Sequence, residues 1–187
     1  MPGYLSPNQS NFAISIWAIP RNNIITNCSS HHDDVSRLAV VGDGLALPER
    51  QSVEPAAVIG MDFEGRAVAQ LAPESVKPAL PQHLEALVNK HLIWFGPATP
   101  EDRFYRFHHQ LLRETVYGSM TKRGRASLHL GFVQWADRTY PDRAVELEEV
   151  LAYHLEQATR FLSELGPLDD AGQAAGRDAA KRLANAG

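Results

Sequence analysis

Two adjacent histidines, His108 and His109, are the residues whose position best fits chemistry on a ligand. They follow a strand-like run, Arg103 to Phe107, and they precede a helical pattern. Backbone N–H groups at a helix N-terminus attract anions, and a histidine placed there can donate a hydrogen bond to a phosphate. The same residues also fit a capping or half-buried structural histidine. The sequence pattern alone leaves both interpretations open.

The sequence lacks the motifs of common catalytic and cofactor sites. It has no G-x-x-x-x-G-K-S/T phosphate loop, no G-x-S-x-G nucleophile elbow and no H-E-x-x-H zinc motif. The turn 42–44 lacks the third glycine of a dinucleotide site. The run His31–Asp34 fits a solvated loop better than a metal site, and Glu146, Glu148 and Glu149 stand at a helix start, where they favour the helix dipole. We therefore expect no catalytic residue, no metal ligand and no cofactor in this chain.

The composition excludes several protein classes. The chain has 187 residues, with 18 Lys+Arg against 22 Asp+Glu, a formal net charge of −4 and 44% hydrophobic residues. These values are typical of globular proteins and exclude a strongly basic nucleic-acid binder. The single cysteine, Cys28, excludes an intramolecular disulfide and a cysteine zinc cluster. We expect a cytoplasmic protein without membrane contact, because no apolar run is long enough to span a bilayer and no secretory signal pattern is present.

Hydrophobic spacing predicts three helices and then two strands from about residue 47 onward. In the third helix, Leu80, Leu84 and Leu87 share one apolar face. Pro and Gly residues join the two strands into a hairpin. Three helices followed by a β-hairpin are typical of a winged helix. The expected elements are helices over residues 48–59, 64–71 and 80–91, and strands over residues 92–95 and 103–107.

Helical spacing continues to the C-terminus. Leu147, Leu151 and Leu155 lie on one face of a long helix that Gly166 ends. The Ala and Gly residues of the last helix permit close packing, and two antiparallel helices of this kind are the unit of an α-solenoid. The expected helices cover residues 108–119, 122–138, 144–165 and the segment from residue 169.

We therefore expect a mainly α fold with three parts. Residues 1-47 carry few charged side chains, and we expect them to be poorly structured or non-homologous to the rest, with Asn11–Ala18 as the one strand-like run. Residues 48-120 form a winged-helix module with a short β-hairpin. Residues 121-187 form a helical region that starts an α-solenoid.

Winged helices often bind DNA, and the positions of the basic residues indicate whether this chain fits that function. DNA affinity comes from neutralised phosphates, and basic residues should then cluster on the third helix and the hairpin. Glu85 counters Lys90 on that helix, and Glu101 counters Arg103 on the hairpin. The richest basic patch follows the hairpin, which favours a domain contact or a solvated face over DNA binding. This patch comprises Arg113, Lys122, Arg123 and Arg125.

Four segments, in order, resemble the region that follows the ATPase core in bacterial STAND-type signalling ATPases, many of them fused to class III adenylate/guanylate cyclase domains or LuxR-type regulators. Tyr105–Tyr117 is similar to their F-R-H-A-L-L-R-D-x-x-Y, and Ala56–Phe63 is similar to A-A-V-I-G-R-x-F. Arg125–His129 resembles R-x-x-L-H. Leu151–Ala158, together with Glu164–Pro167, resembles the start of a tetratricopeptide-like array. The resemblance covers residues 47–187.

The resemblance implies a role for one residue. In this family the winged-helix module packs on the nucleotide-binding core, which holds ATP or ADP, and a histidine at the module's junction contacts the nucleotide phosphate. His109 matches that position through its spacing to Arg113. His108 and Met61 stand where the family often has Arg, and Gln110 replaces a small residue.

These observations predict a non-catalytic regulatory fragment of a signal-transduction ATPase. The family's P-loop, Mg²⁺ site and cyclase domain would precede residue 47, and the sequence does not contain them, so we expect no enzyme activity from this chain alone. The expected partner is a protein, either the missing ATPase core or another one. Two alternatives stay open: a winged-helix DNA-binding transcriptional regulator, and a helical protein-interaction module.

Overall fold

The structure, a computed structural model, describes residues 45–98 and 103–186. Within these ranges the chain forms seven α-helices, two 3-10 turns and one three-stranded antiparallel sheet, so the expected mainly α class is confirmed. The strand-like run Asn11–Ala18, Cys28, the loop His31–Asp34 and the turn 42–44 lie outside the described residues. Among the described helices, none combines the length and apolar character needed to cross a lipid bilayer.

The first three helices are α1 (Leu47–Ile59), α2 (Gly65–Leu71) and α3 (Leu80–Asn89), and a 3-10 turn (Lys77–Ala79) precedes α3. The expected end of α3 at His91 is two residues too long. His91 has a φ of 55°, the left-handed conformation that closes many helices. The N–H groups of His91 and Leu92 then donate to the carbonyls of Val88 and Leu87, at 2.9 and 3.0 Å, which is a Schellman motif.

The sheet contains one strand more than the sequence analysis predicts. Its strands are β1 (Asp62–Glu64), β2 (Ile93–Ala98) and β3 (Arg103–Phe107), in the order β1-β3-β2. Tyr105 at the centre of β3 pairs with Phe63 on one side and with Phe95 on the other. Three residues are too few to show a period-two pattern, which is why the sequence does not predict β1. The strand is defined by its antiparallel pairing with β3.

The remaining helices are α4 (Gln110–Ser119), α5 (Lys122–Thr139), α6 (Ala144–Ser163) and α7 (Asp170–Ala186), and a 3-10 turn (Pro141–Arg143) joins α5 to α6. Helices α6 and α7 run antiparallel, since Gly172 lies against Leu162 and Gly176 against Thr159. A β-carbon added at Gly176 would lie 3.3 Å from Cγ2 of Thr159, so the glycine permits this close approach.

One hydrophobic core joins the sheet to the C-terminal helices. The sheet contributes Phe63 and Phe107, α3 contributes Leu87, α5 contributes Phe132, and α6 contributes Leu151, all fully buried. Residues on both sides of the expected boundary at 120/121 therefore share one apolar cluster. Helix α5 makes this possible because it packs against α1 and α2 as well as against α6.

A buried carboxylate also links the sheet to α5. Glu64, at the end of β1, is buried and accepts hydrogen bonds from the Tyr140 hydroxyl, at 2.6 and 2.7 Å, and from Nε of Arg66, at 2.7 Å. Arg66 also contacts the Tyr140 hydroxyl. Burial and the hydrogen bond to Glu64 raise the pKa of Tyr140, so the phenol stays protonated and can donate.

We expect Tyr140→Phe to lower the free energy of unfolding by about 1.5–3 kcal/mol, because a buried carboxylate loses a charge-assisted hydrogen bond. Urea unfolding followed by circular dichroism measures the change. Glu64→Gln, alone and combined with Tyr140→Phe, completes a double-mutant cycle, for which we expect a coupling of at least about 0.5 kcal/mol. Strictly additive losses would contradict a direct interaction.

Candidate functional site

The expected site residues His108 and His109 lie in the two-residue connection between β3 and α4. His109 is the N-cap residue of α4, with an extended backbone (φ −142°, ψ 147°), and its side chain does not cap the helix by a hydrogen bond. Its carbonyl accepts from the N–H groups of Leu112 and Arg113, at 3.1 and 3.4 Å. The imidazole of His109 therefore stands beside a helix N-terminus, where backbone N–H groups attract anions.

Three rings lie side by side at this junction, with neighbouring ring planes tilted by 31° and 32°. The ring of His108 lies 5.0 Å from the ring of Trp94 and 5.1 Å from that of His109, measured between centroids. We call Trp94, His108 and His109 the junction stack. Trp94 is 49% exposed, and Leu111 in the first turn of α4 is 56% exposed, so large apolar side chains face solvent beside the two half-buried histidines.

Arg113, one helical turn after His109, binds within the chain. Its Nε donates to the carbonyl of Ala57 at 2.9 Å, near the C-terminal end of α1, where helix carbonyls lack an intrahelical donor. Its guanidinium lies 5.8 Å from the centre of the Tyr117 ring. The His109-to-Arg113 spacing thus places a histidine at the junction and an arginine on the α1–α4 contact.

Two further members of the basic patch that follows the hairpin, Lys122 and Arg125, also bind within the chain. Arg125 donates to the carbonyls of Gly118 and Met120, at 2.8 and 2.9 Å, and its guanidinium lies 4.9 Å from the ring centre of Tyr117. Lys122 pairs with Glu164 at 3.0 Å. These contacts fix the turn between α4 and α5 and join it to the end of α6.

The basic residues of α3 and the hairpin, which would face DNA in a winged helix, also contact other side chains of this chain. Lys90 binds the Glu49 carboxylate, with Nζ to Oε2 at 2.6 Å, and so joins the end of α3 to the start of α1. Arg106 faces Asp62 across the sheet at 3.5 Å. The guanidinium of Arg103 lies 5.9 Å from the centre of the Phe95 ring.

A second cluster, which the sequence did not indicate as a site, lies between α4, α5 and α6; its two histidines, His129 and His154, are fully buried and Tyr117 is half-buried. Nδ1 of His129 lies 2.8 Å from Nδ1 of His154, and Nε2 of His129 lies 2.8 Å from the Tyr117 hydroxyl. One signal of this cluster is visible in the sequence: His129 ends the R-x-x-L-H segment, and His154 lies on the apolar face of the next helix. Their mutual contact depends on how α5 packs on α6, which no spacing within one helix reveals.

Both buried histidines are neutral in the folded chain. Burial, and then the charges of Arg113, Arg160 and Arg125, lowers the pKa of His129 to about 3. Burial, His129 and Arg113 lower the pKa of His154 well below its usual value. Nε2 of His154 is buried without a hydrogen-bond partner. Within residues 45–98 and 103–186, no three His, Cys, Asp or Glu side chains gather into a metal site.

Comparison with known proteins adds no assignment: no family model, no curated protein and no solved structure matches this chain. The functional conclusion therefore depends on the contacts of the junction stack, the engaged basic residues and the order of the elements.

We expect Arg113→Ala to lower the free energy of unfolding by about 1–3 kcal/mol, because the Ala57 carbonyl loses its donor and Tyr117 loses a cation above its ring. Chemical unfolding measures the change. Arg138→Ala is the matched control: Arg138 is exposed and donates only along its own helix, to the Gln134 carbonyl, so we expect a change within about 0.5 kcal/mol. Equal losses in both variants would contradict the bridging role of Arg113.

Proposed function

We propose that the chain is a non-catalytic regulatory module of a cytoplasmic signalling ATPase, made of a winged-helix unit and the first helices of a tetratricopeptide-like array. The order α1-β1-α2-α3-β2-β3 supports the winged-helix part, because it contains three helices and then a hairpin, with β1 completing the sheet. The antiparallel pair α6–α7 supports the array. In this proposal neither ATP hydrolysis nor nucleotide cyclisation is a property of this chain.

The observation that carries the proposal is the junction stack beside the N-terminus of α4. Trp94 and Leu111 expose apolar surface there, and His109 stands where the backbone of α4 favours an anion. A partner that covers the apolar side chains and brings a phosphate to His109 would satisfy both features. A nucleotide-binding ATPase core that carries ADP or ATP is such a partner, and the nucleotide is then a cofactor of the core.

The internal contacts of the basic residues favour this proposal over DNA binding. Arg113 and Arg125 donate to backbone carbonyls of this chain, and Lys90 binds Glu49. Each of them would have to give up a protein partner to reach a DNA phosphate. Affinity for DNA rises with the number of phosphates neutralised, so these residues would add little to it.

The test begins with the coding DNA around this gene, where we expect a P-loop ATPase core. Co-expression of that core with this chain should give a complex that co-elutes on size-exclusion chromatography and retains ADP. His109→Ala should lower ADP retention about tenfold, because one hydrogen bond to a charged phosphate is lost. Trp94→Ser and Leu111→Ser should weaken the complex itself.

Leu165→Ser is the matched control, because Leu165 is also an exposed leucine but follows the end of α6. We expect it to leave the complex and ADP retention unchanged. Salt-dependent binding of the purified chain to duplex DNA, lost in Arg103→Ala and Lys90→Ala, would replace this proposal with a DNA-binding regulator. ATP turnover by the chain alone would contradict its non-catalytic role.

A further inference from the structure

We propose that the buried contact between His129 and His154 is an acid-sensitive latch, which holds the hairpin α6–α7 on α4 and α5 at neutral pH and releases it on acidification. His129 belongs to α5 and His154 to α6, and Tyr117 of α4 completes the chain of contacts. The latch therefore joins three helices at one buried point. This inference is independent of the ATPase partner proposed above.

The short distance between the two imidazoles limits how many protons the histidine pair can bind while the helices stay packed. Two Nδ1 atoms 2.8 Å apart can hold one hydrogen between them, since one nitrogen must donate and the other accept. A first added proton can go to Nε2 of His129 if the Tyr117 hydroxyl turns to accept. A second one would place hydrogens on both Nδ1 atoms, which then repel each other. Full protonation is thus compatible only with separated helices.

The charges around the latch oppose protonation from every side. Arg113 approaches from α4, Arg125 belongs to α5, and Arg160 belongs to α6. The hydroxyl of Tyr117 contacts His129, and the ring of Tyr153 lies edge-on to both imidazoles. Among the described residues, no carboxylate is among the groups that shift these two pKa values. An imidazolium formed here would meet three cations and no counter-ion.

The sign of the pH dependence follows from these shifts. In the closed chain both pKa values lie below 6.5, with that of His129 at about 3, whereas in a solvated open hairpin both return to an ordinary value. The open state therefore binds more protons, and acid favours it. Below about pH 6 the opening equilibrium constant should rise about tenfold per pH unit for each histidine.

The hairpin α6–α7 is the part that acid should release. Its two helices pack closely on each other through Gly176 and Thr159, so they would separate from α5 as a unit. The ion pair from Lys122 to Glu164 is exposed and contributes little. The half-buried Arg182 of α7 pairs with Asp137 of α5 at 2.8 Å, and this pair would break when the hairpin opens. The sheet half has its own apolar core, to which the fully buried Phe63 and Phe107 belong.

Hydrogen exchange of the full chain, measured by mass spectrometry at pH 7 and pH 5 and corrected for intrinsic rates, tests the latch. Two histidines should lower the protection of amides in α6 and α7 by about 600-fold over this range. Amides in α1 and β3 should lose less than about tenfold, because their elements stay folded. A uniform loss in all helices would overturn the proposal, since it would indicate global unfolding.

Substitution of His154 tests whether the pH dependence of amide protection comes from the pair His129 and His154. In His154→Phe the new ring would lie against Phe132, whose ring centre is 4.5 Å from that of His154. One ionisable group then remains, so the loss of protection should fall to about 25-fold. His91→Asn is the control, because His91 is exposed and asparagine tolerates its positive φ. An unchanged pH dependence in His154→Phe would overturn the latch.

The wild-type chain supplies a readout that needs no variant. In the closed state, NMR signals of the carbon-bound ring protons of His129 and His154 should stay constant from pH 8 to pH 5.5. Titration of either buried histidine near pH 6.5 in the closed chain would refute the latch, even if His154→Phe does not fold.

Discussion

The contact between the imidazoles of His129 and His154 is the constraint on which the C-terminal half of the structure depends. Two nitrogens at hydrogen-bond distance favour one register of α5 against α6, because a slip of one residue would separate them and leave His154 buried without a partner. The ring of Phe132 lies 4.5 Å from that of His154, and the ring of Phe161 lies 6.3 Å from that of His129. The polar contact therefore decides which aromatic side chains meet at this interface.

Helix α5 connects its interface with α6 to the sheet half of the chain. One face carries His129 and Phe132 toward α6, and the C-terminal end carries Tyr140 to the buried Glu64 at the end of β1. Arg113 adds a third link, from α4 to a carbonyl at the end of α1. Apolar burial supplies most of the stabilisation, but the hydrophobic effect is not directional and does not by itself orient the elements. These few directed hydrogen bonds specify how the sheet half and the helical half are arranged.

The two histidine clusters differ in what their surroundings allow. His108 and His109 are half-buried beside a helix N-terminus and the exposed Trp94, so a ligand or a protein surface can reach them. His129 and His154 are sealed, surrounded by cations and neutral, so they suit structure and proton-linked opening rather than recognition. In the two proposals, the N-terminal end of α4 contacts the ATPase partner and Tyr117, near its C-terminal end, belongs to the latch.

The sequence by itself determined the element types and most of their bounds. Apolar spacing and the Pro, Gly and Asp residues at the ends locate all seven described helices and the strands β2 and β3, because these signals are local. It also placed His109 at the start of α4. Only the tertiary structure decided the formation of β1, the early end of α3 at His91, the binding of Arg113 and Arg125 to carbonyls, and the meeting of His129 with His154. Most of these depend on partners distant in sequence, and hydrophobic periodicity specifies which face of an element is buried but not what that face meets.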